Sequence, residues 1–161
     1  MASHPVDPAA FRDAIGLLPT GVTVVTAFSE TGPSGATANA VSSLSLEPML
    51  MLACLDRGSR TLRSVQSAGR FGINVLASGH EPLARQFSTK VAEPAKWEGI
   101  ELVERDGIPA LAEALVWLGC ELHDVLIGGD HVIVTGAVNA IELGEGEPLV
   151  FHRGAYRPLG A

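Results

Sequence analysis

The polar residues Thr37, Asn39, Ser42, Ser43 and Ser45 stand within the strand-like run GATANAVSSLSL. Arg57, Ser59, Arg60 and Thr61 follow soon after in LDRGSRT. The first group is too rich in hydroxyls and amides for an ordinary buried strand, and it offers hydrogen bonds along one edge. The second sits where a new helix would expose its free backbone N–H groups, an end that attracts anions. A flat polar heterocycle carrying a phosphate tail would satisfy both halves. The alternatives are an edge strand with solvated hydroxyls and an ordinary capped helix with solvated arginines.

Other chemistries lack their residues. There is no GxGxxG after a strand and no GxxxxGK[ST], which argues against a Rossmann domain and a P-loop nucleotidase. No HExxH or paired CxxC supports a metal site, and no GxSxG elbow supports a hydrolase triad. Cys54 and Cys120 each lie in an apolar run and read as buried reduced thiols, with no spacing that favours a disulfide.

With 161 residues, 47% of them hydrophobic and 18% charged, the chain reads as one domain spanning 1–161, long enough for a real core. The formal charge of −7 and the lack of a basic run argue against a nucleic-acid partner. A local pocket can still be positive on such a chain. The start MASHPVDPAAFRDA shows no charged region leading into an apolar core, and no apolar run reaches membrane-spanning length. A soluble cytoplasmic protein is expected.

The elements that must position these residues follow from caps and periodicity. Asp7-Pro8 reads as a helix start, with Phe11, Ala14, Ile15 and Leu18 at helical spacing before Pro19. Gly21 to Phe28 is a β-branched strand, Ser29 to Gly35 a turn, and Ala36 to Leu46 a returning strand. Pro48 then punctuates, and Met49 to Leu55 reads as a strand buried on both faces. Ser59 to Ala68 reads as a helix stopped by Gly69, and Phe71 to Leu76 as a strand. Ser78 with Glu81 reads as a capping box before a helix bearing Leu83, Ala84 and Phe87. Thr89 to Gly99 is a mixed loop with Lys96 and Trp97, and Ile100 to Val103 a short strand. Ala114 to Leu126 and His131 to Leu143 form a hairpin about Gly128-Gly129, Leu149 to His152 is a last strand, and Tyr156 lies in the tail. Six to eight strands with two or three short helices favour an antiparallel barrel.

At this point the motifs resemble the short-chain flavin reductase family. They run in order from Phe11-Arg12 and PTGVTVVT through TAN, SLSLEP, SRTL, FGINVL, LARQF and GDHVIV to LVFHRGAY, covering about Phe11 to Leu159. The chain departs from the family pattern at Val41, where an aromatic is common, and at Met49, where a second proline is common. The resemblance implies a mainly β fold: an antiparallel, flavin-binding split β-barrel with a few short peripheral helices, forming a homodimer. It implies reduction of FAD or FMN by NADH or NADPH, with reduced flavin released to a separate monooxygenase partner.

By the same resemblance, Thr37, Ala38, Asn39 and Ala40 should bond the polar edge of the isoalloxazine ring, with Ser43 and Ser45 nearby and Cys54 and Leu55 beside it. Arg57, Ser59, Arg60 and Thr61 are the phosphate candidates. His131, after Gly128-Gly129-Asp130, would line the nicotinamide side; the alternative is a strand-end surface histidine. Tyr156 is a candidate for nicotinamide contact or for simple packing. Arg12 and Arg153 are candidates for the pyrophosphate or for carboxylates at the subunit interface. Phe87 and Trp97 read as core or dimer contacts. Two rival functions remain open: a flavin-binding carrier without turnover, and a split-barrel oxidoreductase holding flavin tightly while acting on another organic substrate.

Overall fold

The computed structural model describes residues 6–160. In chain order the elements are α1 (Pro8–Gly16), β1 (Thr20–Gly21), β2 (Thr23–Ser29), β3 (Gly32–Ala38), β4 (Val41–Leu46), β5 (Met49–Asp56), α2 (Arg60–Ala68) and β6 (Arg70–Val75). There follow α3 (Glu81–Ser88), α4 (Glu93–Lys96), β7 (Leu102–Arg105), β8 (Ile108–Leu111), β9 (Val116–Gly128), β10 (His131–Leu143), β11 (Leu149–His152) and β12 (Ala155–Pro158).

Seven strands form one sheet in the order β3-β2-β6-β9-β10-β5-β4, and every pairing in it is antiparallel. Laid flat, its edge strands would be six spacings apart, about 29 Å. Yet β3 and β4 are joined by Asn39 and Ala40 alone, a link that spans at most about 11 Å between Cα atoms. The sheet must therefore roll into a barrel whose two edges meet at this crossing. The Cys54 N–H on β5 donates to the Ala40 carbonyl at 2.9 Å and holds the seam. The expected antiparallel split barrel with peripheral helices is borne out. β1, β11 and β12 form a small second sheet, and β7 pairs with β8.

Alternation along β2 explains why Thr23 to Ala27 are buried on both faces. Val25 and Ala27 enter the barrel core with Phe71, Ile73, Ala53, Leu55, Val132 and Val134. Val24 and the preceding Val22 face an outer core with Leu76, Leu111, Leu149 and the α3 residues Ala84 and Phe87. Helix α2 drives Leu62 and Val65 into the barrel core, each burial contributing about 1.5–3 kcal/mol. Its N-cap is Ser59, which accepts from the Leu62 N–H at 3.4 Å, and its stop is Gly69 at φ 67°, a left-handed conformation that glycine adopts without a Cβ penalty.

Several expectations need correcting. The Ser29–Gly35 turn shrinks to Glu30 and Thr31, because Gly32 to Gly35 already pair with β2. The returning strand Ala36–Leu46 is two strands at opposite edges of the sheet, broken at the crossing. β5 is not buried on both faces: Ala53 and Leu55 point inward, while Leu52 and Cys54 alternate on a half-exposed face and Met49 is exposed. No capping box starts α3, whose N-cap is His80 with no side-chain bond. The helix begins at Glu81 itself, which puts Glu81 at its first position rather than the third that a capping box with Ser78 requires, and Glu81 pairs with Arg85 at 2.7 Å instead. The tight turn between β9 and β10 is Gly129-Asp130, since Gly128 pairs with His131. Short strands β8 and β12, the latter carrying Tyr156, and helix α4 add to the expected elements. Among the described residues no helix is long and apolar enough to cross a membrane.

Candidate functional site

A cleft of about 520 Å³ opens where the end of β3, the crossing, the end of β5 and the start of α2 converge. Thr37, Ala38, Asn39 and Ala40 line one wall, Cys54, Leu55, Ser59, Arg60 and Thr61 another, and His131 stands at the rim. Six candidates fall outside it. Ser43 and Ser45 lie further along β4, which leaves the crossing at about 3.3 Å per residue, and Ser45 Oγ accepts the Glu47 N–H at 3.2 Å. The Arg57 guanidinium donates to the Gly129 carbonyl at 3.3 Å, tying the β5 end to the β9–β10 turn. Arg12 and Arg153 share a different cavity at the C-terminal end of α1. Tyr156 sits in another with Arg85, whose guanidinium lies 5.2 Å from its ring centroid. Burial holds the Tyr156 phenol above its ordinary pKa, against a lowering by Arg85.

The β3 wall presents backbone. As an edge strand, β3 bonds β2 on one side only. Gly35 shows which residues face the free side: its N–H donates to Glu93 Oε2 at 3.2 Å and its carbonyl accepts from Lys96 Nζ at 3.0 Å. Antiparallel alternation then turns the N–H and C=O of Thr37, two residues on, to that same side. The Thr37 hydroxyl is engaged elsewhere, donating to the Ala84 carbonyl at 2.6 Å. What this wall offers a ligand is therefore main chain between small side chains.

The opposite wall presents positive charge. Arg60 and Thr61 are the first two residues of α2, so their amides precede the helix's own hydrogen-bond ladder and carry the positive end of its dipole. Arg60, Arg63, Lys90 and Lys96 line the cleft against only two carboxylates, Asp56 and Glu93, on a chain of net charge −7. The Thr61 hydroxyl is buried against Ser34 Oγ at 3.1 Å. Lys96 is 5% exposed. Desolvation holds its ammonium below the ordinary lysine range, with Glu93 opposing that shift and Arg60 adding to it.

At the rim, His131 Nδ1 lies 2.8 Å from Asp130 Oδ1. The hydrogen bond from His131, followed by its charge, holds the Asp130 carboxyl below its usual pKa. In a neutral ring this bond makes Nδ1 the donor and leaves Nε2 as an acceptor.

The family described as "Flavin reductase like domain" matches residues 15–160. The chain belongs to this flavin reductase family. A probable flavin reductase of Rhizobium meliloti (strain 1021) is 41% identical over 160 residues, 97% of this chain and 50% of that protein, so the chain spans half of that relative's length. The reductase subunit HsaB of a flavin-dependent monooxygenase from Rhodococcus jostii (strain RHA1) is 35% identical over 97% of this chain and 80% of its own. The solved structure of the Streptomyces globisporus C-1027 NADH:FAD oxidoreductase SgcE6, in complex with NAD and FAD fragments, superposes with a TM-score of 0.87 at 32% identity, covering 96% of each chain.

The residues of this flavin reductase chain fit a flavin nucleotide. An unpaired strand edge offers donors and acceptors to a ring bearing both, and the helix end with its cations suits a phosphate. The volume falls within the ordinary range for such ligands. Glu93, Lys96, Arg63 and Lys90 line the site without having been assigned a role from sequence. Glu93 and Lys96 fall in what reads as a loop; their i, i+3 spacing after Ala92, with Pro94 beside them, was the available signal of the short helix α4.

Proposed function

We infer that this chain is an NAD(P)H:flavin oxidoreductase that reduces FAD or FMN and passes the reduced flavin to a separate monooxygenase component. The observation that carries this reading is the juxtaposition, across one cleft, of the open backbone edge at Thr37 and the positive N-terminal end of α2. The β3 edge would hold and orient the polar rim of the isoalloxazine ring. The amides of Arg60 and Thr61, with the Ser59 hydroxyl, would hold the phosphate. The redox chemistry belongs to the cofactors, with hydride passing from nicotinamide C4 to flavin N5. The protein's part is positioning. His131, 47% exposed at its side chain and oriented by Asp130, would accept a hydrogen bond from the nicotinamide carboxamide at the open side of the cleft.

Helix α1 supports a homodimer. Among the described residues it buries none of its own, yet Phe11, Ile15, Leu17 and Leu18 are all more than half exposed along it and its C-terminal end. A nine-residue helix is marginal without packing, and a second copy would cover that stripe. The free thiols of Cys54 and Cys120 accord with a reducing compartment such as the cytoplasm.

The reading is tested by titrating the protein with FMN and FAD, followed by flavin fluorescence, and then adding NADH or NADPH without oxygen. Bleaching of the visible flavin band is expected. Bound flavin that stays oxidised with both donors would favour a carrier and overturn the reading.

A further inference from the structure

Arg60 opens α2, where a phosphate ligand would be sought, but its guanidinium is occupied. Nε donates to Glu93 Oε1 at 3.3 Å, and Nη2 donates to the Lys90 carbonyl at 3.2 Å and to the Val91 carbonyl. All three partners belong to the segment running from α3 into α4. Glu93 extends the network, with Oε1 3.9 Å from Lys96 Nζ and Oε2 accepting the Gly35 N–H at 3.2 Å. Gln86 of α3 grips the far end, donating to the carbonyls of Lys96 and Glu98 at 2.9 and 3.0 Å. Residues 90–98 are thereby strapped to both α2 and the free edge of β3. A second cavity of about 360 Å³ shares Arg60, Arg63 and Glu93 with the cleft, so these three side chains stand between the two, and the Arg60–Glu93 pair is the part of that partition tied to the strap.

We propose that Arg60 and Glu93 are positioning residues that hold this partition as one wall of the flavin cleft, and that the arginine facing the flavin phosphate is Arg63. The proposal rests on the flavin reading above. Arg63 lines the same cleft, is exposed, and makes a single side-chain bond, Nη1 to the Gly58 carbonyl at 3.2 Å. Its charge has no carboxylate partner among the described residues. Arg60 contributes its main-chain N–H to the helix end, while its side chain acts on the ligand only through the strap. A guanidinium suits that task because its rigid planar fork aims donors at three acceptors in a fixed geometry, whereas an ammonium is a point charge on a flexible stem.

Riboflavin and FMN differ only in the phosphate, so the pair separates contact with the phosphate from the shape of the ring site. Dissociation constants for both are measured by fluorescence on the wild type and on Arg60→Ala, Arg60→Lys, Glu93→Gln and Arg63→Ala, with circular dichroism as the check on folding. Arg60→Ala and Glu93→Gln should weaken both ligands by a common factor of about tenfold, leaving the FMN-to-riboflavin ratio within about twofold of wild type. Arg60→Lys should behave like Arg60→Ala, and a double variant combining Arg60→Ala with Glu93→Gln should lose little more than the worse single one, as expected of one network. Arg63→Ala should weaken FMN by about tenfold or more and leave riboflavin unchanged. A loss confined to FMN in Arg60→Ala, or unchanged binding in both Arg60 variants, would overturn the proposal. If Arg60→Ala does not fold, the milder Glu93→Gln decides by the same ratio. Wild-type protein that binds neither ligand would sink the flavin reading and this proposal with it, a result distinct from an altered ratio.

Discussion

Gly35, next to the cleft-lining Ala36 on β3, leaves no room for a side chain. A Cβ placed there would lie 2.6 Å from Phe87 Cε1 and 2.8 Å from Cδ1. Two effects of Gly35→Ala oppose each other. Restricting the unfolded chain stabilises by about 0.4–1 kcal/mol, and Gly35 is not among the glycines with a left-handed φ, so alanine meets no backbone penalty. Against this, the methyl overlaps a ring that is 1% exposed and set edge-on against Trp97 with centroids 4.9 Å apart. Overpacking of this kind costs about 1–3 kcal/mol. The steric term wins by about 1–2 kcal/mol, lowering Tm by about 2–8 °C for a domain of this size. Phe87 and the β3 residues beside Gly35 line the cleft, so flavin affinity should fall with stability. Calorimetry and a fluorescence titration read the two effects. Adding Phe87→Leu removes the obstructing ring edge, and the double variant should recover more than about 0.5 kcal/mol relative to additivity. A Gly35→Ala protein that melts at or above wild type would refute the reasoning, because Phe87 would then be free to yield.

Three further outcomes are expected. His131→Ala should raise the KM for the nicotinamide donor and lower turnover while flavin affinity is retained; unchanged steady-state kinetics would remove His131 from the site. Burial pushes the Cys120 thiol up to about 12, leaving about one thiolate in ten thousand at pH 8. A disulfide reagent should therefore titrate one thiol, the half-buried Cys54, in native protein and two in denaturant; two fast thiols in native protein would contradict the burial. The Lys96 ammonium is held below 10.5 chiefly by desolvation, so between its folded pKa and 10.5 the unfolded chain binds more protons, and stability rises with pH across that window. Lys96→Met lacks this titration, so wild type should gain on the variant in urea melts as pH climbs toward 10.5; a constant difference would count against a desolvated cation.

Local signals were legible where local chemistry decides the structure. The Asp7 cap of α1, the Ser59 cap and Gly69 stop of α2, and strands β10 and β11 stand where the sequence places them. Elements set by tertiary pairing were not. Ser29 to Gly35 has turn composition, yet Gly32 to Gly35 are held in β3 by β2. Asn39 and Ala40 look like strand interior, and only rolling of the sheet makes them a crossing. Half of the cleft lining was legible through the order of the motifs, since Thr37 to Ala40, Cys54 and Leu55, Ser59 to Thr61 and His131 do meet. The strap was not, because its meaning depends on Arg60 reaching residues 30 or more positions away. Composition alone would have given that guanidinium to a phosphate.

The most direct test of the central claim is anaerobic oxidation of NADH and NADPH, followed at their absorbance band, with catalytic protein and FAD or FMN in excess. Many turnovers of free flavin per protein with at least one of the four pairs is the expected result. Flavin that binds but undergoes no turnover with any pair would contradict it.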